Sequence, residues 1–386
     1  MLWFIYLQKT RRMYMTLESP QNTFWDNVVQ TAQAGHNSLD KQPFFSMAPM
    51  EAVTDTVFRR VIAQAGAPDV YYTEFTNASS MVHPQAKFSV QGRLAVAEGE
   101  TQPVAQIWGS RPAEIAGSAK ILATMGYHAV DINMGCPDNT VIKNSSGSDL
   151  IRHPELAREI ITAAKISGLP VSVKTRLGFY KAEEFREWLP IILREQVAVL
   201  TIHLRSRKEM SKAPAHVEYI DEILSMRDEL APKTLIQING DIKTREAGIR
   251  LVKEHPGVDG IMIGRGVFEN PYAFEKIPQQ HTLEESIALL RLQLDLFDDV
   301  NKNVVPKHFE ALKRYFKIYL RGFAHASALR QMLMETHATN EVRDILNREL
   351  AKVYATVASD EHIYRDNSAA SEDMAAANAL KLVRNV

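Results

Sequence analysis

A single cysteine, Cys136, stands in the run Asp131-Ile132-Asn133-Met134-Gly135-Cys136-Pro137, which closes an apolar, strand-like segment and opens a loop. A free thiol titrates at about pH 8.5. At neutral pH it is mostly protonated, so it can donate a proton as well as act as a nucleophile. A free cysteine is equally at home as a small buried hydrophobe. On position alone the two readings stand level. One cysteine excludes an intramolecular disulfide and any cysteine-based zinc or iron–sulfur centre, and no metal is expected.

Cys136 belongs to a wider pattern. Short apolar runs recur at Phe44–Met50, Val70–Phe75, Val104–Ile107, Ala129–Asn133, Val171–Arg176, Val199–His203, Leu235–Asn239 and Gly260–Gly264. Helical patterns lie between them, such as Pro112–Met125, Pro154–Ser167, Glu183–Arg194 and Thr244–Glu254. Several open on a residue suited to the first turn. This alternation predicts an α/β fold, a (β/α)8 TIM barrel. An open doubly wound sheet competes, but no strand here is followed by the Gly-rich dinucleotide turn of such sheets.

Active sites of such barrels form at the C-terminal strand ends. Here those ends carry Pro49 and Met50, Gln106, Asn133, Lys174 with Arg176, His203 with Arg205, Asn239-Gly240-Asp241, and Gly264-Arg265-Gly266. Taken singly, His203 reads as a satisfied core histidine, and Lys174 or Arg176 as a structural ion-pair partner. Their shared position favours one common site. The two Gly-containing turns allow close backbone approach to a phosphate, with N–H groups and the Arg265 guanidinium supplying charge. Lys174 can set a positive charge beside an anionic ring nitrogen. Gln106 can pair with the edge of a flat heterocycle as donor and acceptor. Flavin mononucleotide fits all these parts.

Bulk properties set the frame. The chain has 386 residues, a formal net charge of -1, 45% hydrophobic and 24% charged residues. That is a soluble globular composition without a global nucleic-acid signature, which leaves room only for a local basic patch. Residues 1–43 read as an N-terminal extension. Its first stretch, Met1 to Tyr14, is too short to span a bilayer and wrongly flanked for a secretory signal. It is expected to be poorly ordered, with Met13 or Met15 as an alternative start. The barrel is expected at 44–278, a C-terminal all-α domain at 282–355 and a poorly ordered tail at 356–386. Helical periodicity sets Ile287, Leu290, Leu294 and Phe297 on one face. No membrane segment is evident, so the expected compartment is the cytoplasm.

These residues, in this order, resemble the tRNA-dihydrouridine synthases, flavin-dependent barrel enzymes that reduce uridines in tRNA. The matching segments are Met47–Asp55, Gln106–Gly109, Asp131–Pro137 with Gly147 and Leu150, Val173–Gly178, His203 with Arg205, Asn239–Asp241 and Met262–Gly266. They run across the whole barrel, and the cysteine motif is the specific one. The resemblance implies that Pro49 and Met50 lie beside the flavin ring and that Gln106, Lys174 and His203 hydrogen-bond it. Asn239, Gly240, Asp241, Gly264 and Arg265 would hold the phosphate end. Asn133 and Arg176 would contact the target uracil, with Lys143 and Arg205 on bordering loops, and Cys136 would be the general acid. Two loops depart from the family pattern. Leu204 replaces a glycine after His203, and the loop Lys143–Asp149 differs from the usual sequence.

The implied reaction uses FMN and NADPH. A flipped-out uridine would receive hydride at C6 and a proton from Cys136 at C5. Partners would be tRNA and NADPH, the protein a monomer. The RNA surface is expected on the helical domain at Lys313, Arg314 and Lys317, within a basic run interleaved with Phe309, Tyr315, Phe316 and Tyr319. The plain alternative is a solvated basic face with its aromatics packed inward. Two other functions compete: a flavin barrel acting on a small molecule, and a non-catalytic RNA-binding barrel.

Overall fold

In a computed structural model the chain is described at residues 23–34, 41–83, 87–323 and 325–352. Eight parallel strands form one sheet: β1 Phe44–Met47, β2 Thr76–Asn77, β3 Ala105–Trp108, β4 Val130–Met134, β5 Val171–Arg176, β6 Val199–His203, β7 Leu235–Asn239 and β8 Gly260–Ile263. Their order is β1-β8-β7-β6-β5-β4-β3-β2. Single bridges from Ser46 to Val70 and from Tyr72 to Val104 join the two ends through the segment before β2. The fold is the α/β barrel that the alternation predicts.

The second strand differs from its expected form. Val70–Phe75 makes two isolated bridges in place of a continuous ladder. Side chains supply the missing partners. The Phe45 N–H donates to Asp69 Oδ2 at 2.7 Å, and the Gln106 N–H donates to Thr73 Oγ1 at 3.0 Å. These two bonds satisfy backbone donors that a buried ladder would otherwise pair.

The barrel lumen is polar in its middle layer. Ser46, Gln106, Asp131, Ser172, Thr201 and Gln237 are fully buried. They bond to one another: Gln237 Nε2 donates to Ser46 Oγ and Thr201 Oγ1 to Gln237 Oε1, both at 2.8 Å. Ser172 Oγ donates to Asp131 Oδ1 at 2.6 Å. Apolar branched side chains usually fill this layer. Here the mutual hydrogen bonds offset the cost of burying polar groups.

The opposite end is sealed from within the N-terminal segment. The helix Thr23–Gln33 places Trp25, Val28 and Ala32 on one face. They pack with Phe44, Val104, Ala129 and Val199, at or next to the N-terminal ends of four strands. The Trp25 and Phe44 rings lie 5.7 Å apart.

Contacts divide the chain into two compact units. One contains the barrel together with 295–307, the other 280–294 and the helices from 308 onward. The C-terminal helices are Leu283–Asn303, Glu310–Tyr319, Ala326–Met334 and a further one from residue 339. Ile287, Leu290, Leu294 and Phe297 are all buried. So are Tyr315, Phe316 and Tyr319, and the Tyr319 hydroxyl donates to Gln293 Oε1 at 2.9 Å. These aromatics therefore serve packing. Among the described residues no helix is long and apolar enough to cross a membrane. The segments 1–14 and 356–386 lie outside the described residues.

Trp25→Ala should lower the unfolding free energy by about 3–5 kcal/mol, the usual cost of emptying an aromatic core site. Urea unfolding of the variant checks this, and an unchanged midpoint would remove the helix from the barrel's foundation.

Candidate active site

Strand register brings the polar strand ends together. Asn133 lies opposite Lys174 across β4 and β5, Arg176 opposite His203 across β5 and β6, and His203 opposite Asn239 across β6 and β7. Two cavities open at this end of the barrel.

The first has a volume of about 440 Å³, within the range of small-ligand sites. Pro49, Met50, Lys174, His203, Asn239, Gly240, Asp241, Gly264 and Arg265 all line it, together with Arg205. Gly240 has φ +132°, and a Cβ there would sit 3.1 Å from Ala215 Cβ. Gly266 has Lys243 O so near that a Cβ would approach it to 2.6 Å. Both turns therefore need glycine to keep their backbone against the cavity. Arg265 leaves its side chain 60% exposed, with only a 3.8 Å approach to Asp241.

The electrostatics of this cavity favour an anion. Burial, with Arg176 nearby, pushes Lys174 down to about 8. Burial, then the charges of Arg176, Lys174, Arg205 and Arg265, hold His203 well below its ordinary range, so its ring is neutral at neutral pH. Burial alone would raise Asp241. Hydrogen bonds from Arg205 and the Ala215 N–H outweigh it and hold the carboxylate ionised.

The second cavity, about 530 Å³, is lined by Cys136 with Glu51, Phe75, Trp108, Asp138 and Thr140, among others. Cys136 is half-buried. Burial pushes its thiol above the ordinary value, so it keeps its proton at neutral pH. The loop is fixed from two sides. Asn133 Oδ1 accepts the N–H groups of Gly135 at 3.1 Å and Cys136 at 2.9 Å. Gly147 has φ +62°, and a Cβ there would meet Cys136 O at 2.9 Å. That backbone conformation and that contact both call for glycine.

Several expected ligand contacts are committed inside the protein instead. Gln106 is absent from the first cavity's lining. Its Nε2 donates to Asp131 Oδ2 at 2.7 Å and its Oε1 accepts from Asn133 Nδ2 at 3.0 Å, which leaves one N–H and one lone pair. Asn133 is 6% exposed, with both oxygen lone pairs engaged. Arg176 donates to Gly135 O at 2.7 Å, Ser206 O at 3.2 Å and Met210 O at 3.0 Å. It ties the loops after β4 and β6 together, and burial lowers it to about 10. Arg205 is 2% exposed and bonded to Ala213, His203 and Asp241.

Other placements follow. Lys143 is exposed and lines neither cavity. Lys313, Arg314 and Lys317 belong to the second unit. Lys313 is half-buried and paired with Glu310 at 2.8 Å, while Arg314 and Lys317 are exposed. Sequence reading did not single out Lys243 and Glu269, which line the first cavity and pair at 2.7 Å. It placed Glu51 at the end of the first strand without a role and left out Arg93, with which Glu51 pairs at 2.5 Å beside the second. Lys243 could have been found as the cation two residues after the Asn239–Asp241 turn.

A barrel with a cationic ligand cavity and a protonated thiol at its C-terminal mouth has the anatomy of a barrel enzyme. The family model described as "Dihydrouridine synthase (Dus)" matches residues 46–365. The "Probable tRNA-dihydrouridine synthase" of Staphylococcus epidermidis is 51% identical over 314 residues, 81% of this chain and 96% of that protein. The "Probable tRNA-dihydrouridine synthase 2" of Bacillus subtilis is 53% identical over 306 residues, 79% of this chain and 94% of that protein. The chain belongs to the dihydrouridine synthase family, a family of oxidoreductases.

Because Cys136 is the only cysteine, a thiol reagent reads it alone. Its labelling rate should stay low at neutral pH and rise with an apparent pKa above the ordinary value of about 8.5. A plateau already reached at neutral pH would contradict a protonated thiol.

Proposed function

We propose that this protein reduces the C5=C6 bond of a uridine in tRNA to 5,6-dihydrouridine. Flavin mononucleotide would occupy the cavity of Lys174, His203 and Arg265, NADPH would be the reductant, and Cys136 the proton donor. The observation that carries this reading is the pairing of two neighbouring cavities. One offers glycine turns and cations, and the other a thiol that keeps its proton. Lys174 and Arg176 act electrostatically on both.

The donor set suits that cofactor. The turns at Gly240 and Gly264 with Arg265 would receive the phosphate, and Pro49 and Met50 would border the ring. The Lys174 ammonium would balance negative charge on the ring. When bound, reduced flavin supplies the hydride for C6 of the uracil. The base must leave its stack to reach the barrel mouth, and Trp108 and Phe75 give the second cavity flat apolar wall. Cys136 then gives its proton to C5 and recovers one from solvent, which completes the addition of two hydrogens. Asn133 and Gly147 hold the thiol where it can do so. Arg314 and Lys317 present exposed side chains for RNA phosphates on the second unit.

Cys136→Ala should keep flavin and continue to consume NADPH. Its yield of dihydrouridine should fall by about 10²–10⁴-fold, the usual contribution of a general acid. Wild-type yield from this variant would sink the assignment.

Flavin affinity should also depend on pH. With its pKa pushed down to about 8, Lys174 is charged below that pH and loses its charge above it. Binding of the anionic cofactor should therefore weaken as pH rises through about 8, and this inflection should vanish in Lys174→Met. Fluorescence titration checks it, and an inflection that survives the substitution would assign it to another group.

A further inference from the structure

His203 and Arg205 lie side by side at the end of β6, with Arg205 Nη1 3.1 Å from His203 Nε2. A guanidinium has five N–H donors and no acceptor. At this contact Nε2 must therefore be the acceptor and carry no proton. The neutral ring then holds its one proton on Nδ1. A free imidazole has no such constraint, so the tautomer is set by this neighbour.

Arg205 is itself held in place. Its Nε donates to Ala213 O at 2.6 Å, and its Nη2 donates to Asp241 Oδ2 at 2.5 Å. Asp241 Oδ2 also accepts the Ala215 N–H at 2.9 Å. Asp241 adopts φ +52°, a left-handed conformation uncommon outside glycine, which aims its carboxylate back at Arg205. With three donor positions engaged, Arg205 is 2% exposed and has little freedom to turn away from the ring.

The other edges of His203 are also assigned. Its Cδ2 edge faces Gly240, where a Cβ would come within 3.4 Å. Nδ1 lies on the opposite side of the ring, and among the described residues no acceptor is bonded to it. His203 lines the same cavity as Lys174 and Gly264.

We propose that Arg205 is a positioning residue that fixes His203 as the Nδ1–H tautomer and so makes the ring a hydrogen-bond donor toward the cavity ligand. The tautomer itself follows from the protein alone. That the donor meets an electron-rich acceptor of the flavin rests on the functional reading above. Arg205, expected from the sequence to touch substrate, would on this account act through His203.

The test is long-range ¹H–¹⁵N correlation of histidine-labelled protein without cofactor, with His203 assigned from a His203→Gln sample. The wild type should show a protonated Nδ1 and a bare Nε2. Arg205→Lys keeps a donor-only side chain and should preserve the pattern. Arg205→Gln can turn an amide oxygen toward Nε2–H and should release the ring toward that tautomer. Flavin affinity should fall on the order of ten-fold in the Gln variant and recover in the Lys variant, as expected for one charge-assisted network. A wild-type ring protonated on Nε2 overturns the proposal without any variant, as does the same tautomer in wild type and Arg205→Gln. If the wild type shows Nδ1–H but binds no flavin, the tautomer assignment stands and the functional reading fails.

Discussion

The geometry of the barrel mouth around Cys136 depends on one carboxamide. Asn133, the penultimate residue of β4, is bonded in three directions, to the N–H groups of Gly135 and Cys136 and to Gln106 Oε1. Gln106 passes the connection to Asp131, and Asp131 to Ser172, so the polar chain crosses β3, β4 and β5 inside the barrel. Each buried group left unpaired would cost about 1–3 kcal/mol, so the network is held as a whole. Its effect is local precision. The Cys136 loop cannot drift from the strand end while its backbone donors are anchored to a side chain locked in the lumen. Gly147 closes the loop from the other side by admitting a backbone contact that any Cβ would block.

Charge divides the mouth into its two chemical halves. Burial, then the charges of Arg176, Lys174, Arg205 and Arg265, keep His203 neutral. Two of these cations are structural ties, since Arg176 and Arg205 spend their hydrogen bonds on loop carbonyls and on Asp241. Lys174 and Arg265 remain to face a ligand. On the other side, burial dominates over the charges of Arg176 and Lys174 at Cys136, and the thiol stays protonated. In the proposed reaction the protonated thiol beside the cationic cavity would supply the proton that accompanies hydride addition to the double bond.

The barrel was legible in the sequence because strand and helix periodicities alternate eight times with few interruptions. The residues that line the first cavity were legible for a related reason: topology alone brings strand ends to one face. Direction and partners were not legible. Gln106, Asn133, Arg176 and Arg205 sit where a strand-end rule expects ligand contacts, yet their polar atoms are largely engaged by the protein. Nothing in one-dimensional spacing distinguishes a side chain that reaches out from one that braces a loop. The polar lumen layer was likewise hidden, because Ser46, Ser172 and Thr201 read as ordinary members of β-branched or small-residue runs. Trp25 was hidden by brevity, since its 11-residue helix buries only Trp25, Val28 and Ala32 in a segment with polar flanks.

The measurement that bears most directly on the account is mass spectrometry of an unmodified tRNA transcript after incubation with the purified protein, FMN and NADPH. The account predicts a gain of two hydrogens at a defined uridine, absent when NADPH is left out. A yellow protein that oxidises NADPH and leaves every uridine unchanged would contradict it.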